Sequence, residues 1–366
     1  MLLVSRWIAC FALLACLAPD GSALADEGGP DYAPYGQGVF LPFVNAPESA
    51  EEPARVPKLL VSFGEEPRPI VMDTGSTGIV ISADRIPNVD GLPARPGQLT
   101  YSSSGRIMIG RWVTTPLTIF GRDGQSVAVQ PLPVLAVDRI ACTDHARDCR
   151  PEDNPRGVAM MGVGFGREYD SQSESTPDKN PLLNLAPMGR DPARRGYIVT
   201  RTGVHVGLTR ANTRGAFRFA KLDPQPGIAG EWTGVPVCIT VNGQEPAACG
   251  HALVDTGVTS MFLTLPAAQV AGATTSSNGP PVLSDGTRLG FSFPGTSGAP
   301  VAATYNMAVG DDASLMAPER VHLNTTRPEV FVNTSVRFLD GFDVLYDADG
   351  GYLAFRAHDR MRANTN

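Results

Sequence analysis

The sequence predicts an all-β chain built from two similar lobes. Its 39 glycines and 32 prolines favour short strands joined by many turns over a bundle of helices. Apolar or alternating runs recur along the chain and are mostly bounded by Gly, Pro, Asn or Asp, as strands and hairpins are. One pattern centred on Asp-Thr-Gly occurs twice, about half a chain apart. This repeat indicates that the two halves fold alike.

The apolar runs predict strands at residues 39–43, 58–63, 69–72, 106–119, 197–199, 204–208, 215–219 and 342–346. Signals for helices are weak and short. Two polar segments rich in Pro, Gly, Ser or Asn, 170–190 and 271–288, predict surface loops. The charged segment 145–156 predicts a further exposed loop.

Composition and charge limit the functions that the chain can have. Its 366 residues are enough for two lobes with a sizeable core, and 42% hydrophobic residues argue against general disorder. A net charge of −7 argues against a nucleic-acid binder, which normally carries a basic face. The sequence has no paired C-x-x-C, H-E-x-x-H or G-x-S-x-G motif, so we expect no metal, no cofactor and no serine-hydrolase chemistry.

Residues 1–25 have the pattern of an export signal. Arg6 precedes an apolar core at 8–18 that is too short to span a bilayer, and Ala23-Leu24-Ala25 fits a cleavage site. A loose lipobox at 13–16 leaves processing as a lipoprotein at Cys16 open as an alternative. No other long apolar run follows, so we expect an exported protein, periplasmic or secreted, without a membrane span.

Four cysteines follow the signal, and they allow three pairings. The local pairing closes two short loops and is favoured in an oxidising compartment. Four separate thiols or a metal site are the alternatives, and no ligand spacing supports a metal. The expected disulfides are therefore Cys142–Cys149 and Cys238–Cys249.

The repeated pattern has the same order in both halves. Residues 70–81 and 252–263 each contain three apolar residues, Asp-Thr-Gly, a variable residue, Thr, a small residue and three more apolar residues. A shorter apolar element follows each copy, at 159–162 and at 330–333. The paired spacing suggests two similar lobes in one chain.

Two aspartates in this setting have a specific chemistry. Two carboxyl groups roughly 3 Å apart cannot both ionise, so one stays protonated while the other acts as a base on a water between them. Such a pair can hydrolyse a peptide bond without a metal or a covalent intermediate, and it titrates as a unit. A single Asp-Thr-Gly is an ordinary turn after a strand, but two copies predict a catalytic dyad of Asp73 and Asp255.

The residues after each aspartate suit this geometry. Gly75 and Gly257 let the backbone turn sharply and expose an amide to the carboxylate. The hydroxyls of Thr74 and Thr256 can bond to the backbone of the opposite lobe, which would lock the two loops together.

Residues 39–357 resemble the pepsin-like aspartic protease family. The resemblance rests on Phe63-Gly64, on 67–76 through the first Asp-Thr-Gly-Ser, on Cys249 shortly before the second aspartate, and on the closing stretches 342–347 and 351–355. It implies two pseudo-symmetric β lobes with a central cleft, and an aspartic endopeptidase acting on peptides or proteins. We expect an exported bacterial member that is monomeric, with lobes at 26–195 and 196–366.

The resemblance also implies roles for further residues. A β-hairpin flap covers the cleft in this family, and Tyr101 corresponds to the tyrosine near its tip. Ser76 corresponds to the serine that bonds the outer oxygen of the first aspartate. The expected substrate-binding residues are Tyr101, Gly75, Gly257, Ser76, Thr74, Thr256 and Thr259.

Three positions depart from the family's pattern. Val258 stands where a Ser or Thr usually offers a hydroxyl to the second aspartate, and the loss of this donor should raise that carboxyl's pKa and move the activity optimum towards neutral pH. Val80 stands in place of a Trp, and Asn333 in place of a Gly. The acidic segment 26–38 predicts no inhibitory basic prosegment. These departures leave a second hypothesis open, a non-catalytic module that binds a peptide or protein in the cleft.

Overall fold

The computed structural model describes residues 29–144, 146, 149–167, 172, 174–275, 281–295 and 300–359. The predicted export signal and the alternative at Cys16 lie outside these residues.

The fold is dominated by strands, as predicted. The strands are β1 (Val39–Pro42), β2 (Lys58–Ser62), β3 (Arg68–Asp73), β4 (Thr77–Ser82), β5 (Ala94–Tyr101), β6 (Arg106–Phe120), β7 (Ser126–Cys142), β8 (Glu152–Asp153), β9 (Ala159–Val163), β10 (Gly196–Val199), β11 (Gly203–Val206), β12 (Arg218–Lys221), β13 (Val235–Val241), β14 (Ala248–Leu253), β15 (Met261–Thr264), β16 (Thr274–Thr275), β17 (Val282–Leu283), β18 (Arg288–Phe293), β19 (Ala303–Ala308), β20 (Val321–Asn324), β21 (Phe331–Asn333), β22 (Phe342–Asp347) and β23 (Tyr352–Ala357).

Helical structure in the described residues is limited to short 3₁₀ turns. They lie at Ala83–Arg85, Val89–Gly91, Pro177–Lys179, Ala267–Val270 and Val336–Asp340. None of the described helices has the length and hydropathy of a membrane span.

The first sheet contains the first Asp-Thr-Gly. Its strand order is β5-β6-β2-β3-β9-β4-β7-β8, and the long strands β6 and β7 also pair with each other, which closes the sheet upon itself. β4 lies between β9 and β7, and all six of its residues are buried. This position accounts for the uninterrupted apolar run that follows the first Asp-Thr-Gly.

The second sheet contains the second Asp-Thr-Gly and repeats the local topology of the first. Its order is β16-β17-β20-β15-β21-β14-β13-β18-β19. In the first sheet, β9 lies parallel to β3 and antiparallel to β4. In the second, β21 lies parallel to β14 and antiparallel to β15. The repeated sequence pattern therefore corresponds to a repeated strand arrangement.

A third sheet, which we call the linking sheet, has the order β1-β11-β10-β22-β23-β12. Its strands come from the beginning, the middle and the end of the described chain, and all of its pairings are antiparallel. The predicted lobe boundary between 195 and 196 falls at the start of β10, within this sheet, and the division of the chain there stays a prediction.

Alternating burial explains why many strands form where they do. The residues of β13 alternate between buried and half-buried over its whole length, as expected of a strand with one face on the core. One large apolar core includes residues of all three sheets, among them Leu59, Ile79, Val237, Leu263 and Val344.

Two loop predictions and one strand prediction need correction. The segment 145–156, predicted to be an exposed loop, contains the short strand β8 paired with β7. The segment 271–288, predicted to be a loop, contains β16, β17 and the first residue of β18. The strand predicted at 215–219 begins instead at Arg218, because β12 takes its register from β23. Both local disulfides, Cys142–Cys149 and Cys238–Cys249, are present.

Candidate active site

The two aspartates meet at the ends of equivalent strands. Asp73 is the last residue of β3, and Asp255 follows β14 by two positions. Their residues are only 4% and 6% exposed. A side chain added at Gly75 would overlap the Asp255 carboxyl, and one added at Gly257 would lie 2.5 Å from Asp73 Oδ1. Each carboxyl therefore packs against the glycine of the opposite loop, and the two lie within hydrogen-bonding reach of each other.

Each carboxyl receives two hydrogen bonds. The Gly75 amide donates to Asp73 Oδ1 at 2.7 Å, and Ser76 Oγ donates to Asp73 Oδ2 at 2.5 Å. The Gly257 amide donates to Asp255 Oδ1 at 2.8 Å, and Asn333 Nδ2 donates to Asp255 Oδ2 at 2.5 Å. Asp73 Oδ1 faces Gly257, whereas both oxygens of Asp255 lie equally close to Gly75.

This arrangement corrects the expectation for Val258. Val258 offers no hydroxyl, but Asn333 provides the donor that the loop lacks. Asn333, predicted to stand in place of a glycine, is not the structural equivalent of Gly162 in the first sheet. Gly162 is paired with Asp73 itself, whereas Asn333 is paired with Leu253, two residues before the second aspartate.

The environment of the dyad strongly raises the pKa of one of its carboxyl groups, that of Asp255. Burial, and then the adjacent Asp73 carboxylate, raise the pKa of Asp255 from 3.8 to about 8, although the hydrogen bonds from Asn333 and Gly257 act in the opposite direction. The raised pKa thus comes from burial and like charge rather than from the missing hydroxyl at Val258. Asp255 is therefore the member of the pair whose protonated form burial and like charge favour.

The two threonines lock the loops beneath the carboxyl groups. Thr74 Oγ1 donates to the Val254 carbonyl at 2.5 Å, and Thr256 Oγ1 donates to the Met72 carbonyl at 2.8 Å. Each hydroxyl also accepts the backbone N–H of the other threonine, at 3.0 and 3.1 Å. Both side chains are buried, so they hold the dyad in place and do not face a substrate, which corrects their inclusion among the binding residues.

Two further side chains, which sequence reasoning did not find, fix the first loop. Arg167 Nε and Gln172 Nε2 both donate to the Gly75 carbonyl, at 2.9 and 3.0 Å. Both residues are buried. No sequence signal pointed to them, because they reach Gly75 from a segment about ninety positions downstream.

A cavity of about 610 Å³ contains the dyad. Its walls include Asp73, Asp255, Gly75 and Gly257. A neighbouring cavity of about 1140 Å³ shares Arg167, Leu253, Thr264, Arg327 and Phe331 with it. The two cavities are therefore neighbours that share part of their walls.

The hairpin of β5 and β6 forms another wall of the cavity that contains the dyad, and we call it the flap. Residues 102–104 at its tip, and Tyr101 at the end of β5, line the same cavity as the dyad. Burial and the nearby Asp73 charge raise the pKa of the Tyr101 hydroxyl, so the phenol is neutral. Val80 belongs to the same apolar cluster as Tyr101, and Trp112 of β6 contributes an indole ring to that cluster.

The remaining expected site residues separate into two groups. Ser76 is buried beneath the cleft and contacts Asp73, as expected of a residue that orients the carboxyl. Thr259 lies elsewhere: its hydroxyl donates to Glu319 at 3.1 Å, and the residue is not part of the cavity wall. The expected binding role of Thr259 has no support, because adjacency in sequence does not fix the direction of a side chain.

Comparison with solved structures identifies the fold. The aspartic proteinase from Irpex lacteus superposes with a TM-score of 0.53 at 14% identity, covering 90% of this chain and 100% of that one. No protein-family model and no curated protein matches the sequence. The chain therefore has the bilobal pepsin-like fold.

Proposed function

We propose that the chain is an aspartic endopeptidase whose Asp73 and Asp255 activate a water molecule for attack on a peptide bond. The observation that carries the proposal is the mutual packing of the two carboxyl groups, each against the glycine of the opposite loop. A pair of buried like charges is unfavourable for folding, so its retention in a cavity points to catalysis.

The chemistry needs only one proton between the two groups. The ionised carboxylate takes a proton from water as the water oxygen bonds to the scissile carbonyl carbon. The protonated carboxyl gives its proton to the carbonyl oxygen, which yields a neutral tetrahedral diol. When the C–N bond breaks, the carboxyl that took the proton from water gives it to the leaving nitrogen, and the other carboxylate takes a proton from a diol hydroxyl, which becomes part of the product carboxylic acid. The dyad is left with one proton again.

The surrounding residues supply position rather than reacting groups. The threonine pair and the Gly75 and Gly257 amides hold the carboxyl groups at a fixed separation. The flap and Tyr101 cover the cavity, which excludes bulk water from the reacting atoms. The cavity that contains the dyad, with the larger cavity beside it, would offer space for a peptide substrate.

Two disulfides are typical of a protein that folds in an oxidising compartment. We therefore propose a periplasmic or secreted, monomeric enzyme that needs no cofactor. The alternative of a non-catalytic binding module rested partly on the missing hydroxyl at Val258, and the donor from Asn333 removes that support.

The deciding experiment compares wild type with Asp73→Asn on a mixed peptide library across pH, with and without pepstatin. We expect cleavage that pepstatin inhibits and that Asp73→Asn abolishes. Asp312→Asn, an exposed aspartate outside the cavity wall, is the matched control and should retain full activity. Cleavage by Asp73→Asn at the wild-type rate would exclude the proposed dyad.

A further inference from the structure

The two carboxyl groups of the dyad have matching donors of different chemical kinds. Asp73 Oδ2 is bonded by the hydroxyl of Ser76, three positions after it in the same loop. The corresponding position after Asp255 is Val258, which has no polar atom in its side chain. The donor to Asp255 Oδ2 comes instead from Asn333, on a different strand.

The strand register explains why Asn333 can reach the carboxyl. β21 runs between β14 and β15, and Asn333 is paired with Leu253 on one side and Phe262 on the other. These two strands enter and leave the second Asp-Thr-Gly loop. Asn333 is therefore fixed at the base of that loop, and only 6% of the residue is exposed.

A hydrogen bond to the amide oxygen of Asn333 fixes the orientation of its side-chain amide. The backbone N–H of Ser335 donates to Asn333 Oδ1 at 3.1 Å. Only the amide oxygen of Asn333 can accept a hydrogen bond from this N–H, so its NH₂ group must face Asp255. A carboxylate oxygen at 2.5 Å is the acceptor that this NH₂ group requires.

We propose that Asn333 is a positioning residue that holds Oδ2 of Asp255, as Ser76 holds Oδ2 of Asp73. The proposal rests on the proposed function of the dyad. An amide NH₂ can only donate, and a donor to a carboxylate favours the ionised form of that group. Asn333 therefore orients the Asp255 carboxyl and favours its ionised form.

The two donors differ in what they allow. The Ser76 hydroxyl can donate or accept, so it can adapt to either protonation state of the dyad. The Asn333 amide presents the same donor to Asp255 in every state. Other titratable or charged groups near the dyad include Tyr346 of β22, Tyr101 of the flap and Arg167 behind Gly75. Arg106, His322 and Arg327 line the cavity that contains the dyad.

The test combines loss of the amide with restoration of a hydroxyl. In Asn333→Ala we expect kcat to fall roughly tenfold to a hundredfold, because a hydrogen bond to a charged group is removed. KM should change little, and the kcat profile should move towards alkaline pH, because the ionised carboxylate loses a donor. Asn333→Ala/Val258→Thr should recover most of the kcat and the wild-type profile, whereas Asp312→Asn, an exposed position outside the cavity wall, should leave both unchanged.

Several outcomes would overturn the proposal. A merely structural role for Asn333 would lower thermal stability while the pH profile stayed in place, and Val258→Thr would rescue nothing. Should Asn333→Ala fail to fold, Asn333→Ser keeps a polar group near Ser335 but is too short to reach Asp255, and the same shift is expected.

A readout that needs no activity separates this proposal from the proposed function. Titration of ¹³C-labelled aspartate carboxyl groups by NMR reports the pKa of Asp255 directly in wild type and in Asn333→Ala. A raised pKa in the variant supports the role of Asn333 even if no peptide is cleaved, and an unchanged pKa refutes it even if the wild type is an active protease.

Discussion

Thr74 and Thr256 hold each other by reciprocal hydrogen bonds across the two halves of the chain. Each hydroxyl accepts the other's backbone N–H and donates to a carbonyl next to the other's aspartate. A small change in either loop is therefore transmitted to both carboxyl groups.

Thr256→Val tests this coupling with a side chain of the same shape. The substitution leaves the Thr74 N–H and the Met72 carbonyl buried without their partner. We expect the free energy of unfolding to fall by about 2–4 kcal/mol and kcat to fall with it, as measured by urea denaturation and peptide cleavage. Thr256→Ser, which keeps the hydroxyl, is the control. Equal losses in the two variants would contradict the role of the hydrogen bonds.

The dyad should make stability depend on pH. The pKa of Asp255 is raised in the folded state from 3.8 to about 8. A group with a raised folded pKa contributes its full stability below pH 3.8, and that contribution is lost as pH rises towards 8. The free energy of unfolding should therefore decrease between about pH 4 and pH 8 in urea titrations.

Asp73→Asn should reduce this dependence, because it removes the like charge beside Asp255. At pH 8 we expect the variant to be more stable than wild type by at least about 1 kcal/mol, given that a tenfold change in proton affinity is worth about 1.4 kcal/mol. Asp312→Asn should leave the pH dependence unchanged. A steeper dependence in Asp73→Asn would show that repulsion between the carboxyl groups is not its source.

Gly75→Ala should abolish the proposed peptide cleavage without unfolding the protein. The added methyl group would overlap the Asp255 carboxyl and push it away from Asp73. We expect kcat to fall about a hundredfold or more, as misplacement of a catalytic group by about 1 Å does. Gly157→Ala adds a methyl group with no heavy atom within 4 Å and is the control. Wild-type activity in Gly75→Ala would mean that the two carboxyl groups lie farther apart.

The disulfide Cys142–Cys149 should affect substrate binding through the flap. Cys142 is paired with Arg106 at the base of the flap tip, and the Thr143 N–H donates to the Gly105 carbonyl at 2.9 Å. We expect Cys142→Ser/Cys149→Ser to raise KM severalfold and to lower stability by about 2–3 kcal/mol. Steady-state kinetics on one peptide gives the KM. An unchanged KM with the same loss of stability would separate the disulfide from the flap.

The sequence predicted those parts of the fold that depend on local pattern. The strand predicted at 58–63 ends one residue earlier, and the one predicted at 69–72 extends by one residue at each end. β7 was missed because Pro131 and Pro133 interrupt its pattern, and proline normally excludes an inner strand. The structure accommodates them beside a register irregularity between Thr115 and Leu117 of β6.

The sequence could indicate only those residues of the candidate site that belong to the repeated Asp-Thr-Gly pattern. The repeat named Asp73 and Asp255, together with the glycines and threonines that follow them. It could not name Asn333 as the donor to Asp255, because that contact depends on the register of β21 against β14. Arg167 and Gln172 were missed for the same reason, since only the folded chain brings them to Gly75.

The linking sheet can form only after strands from the two ends of the described chain have been synthesised. Tyr32 donates to Asp347, 315 positions later, and β22 and β23 are the last of the described strands along the chain. Contacts between such distant residues form slowly. A growing chain therefore carries both aspartates before it can complete the linking sheet.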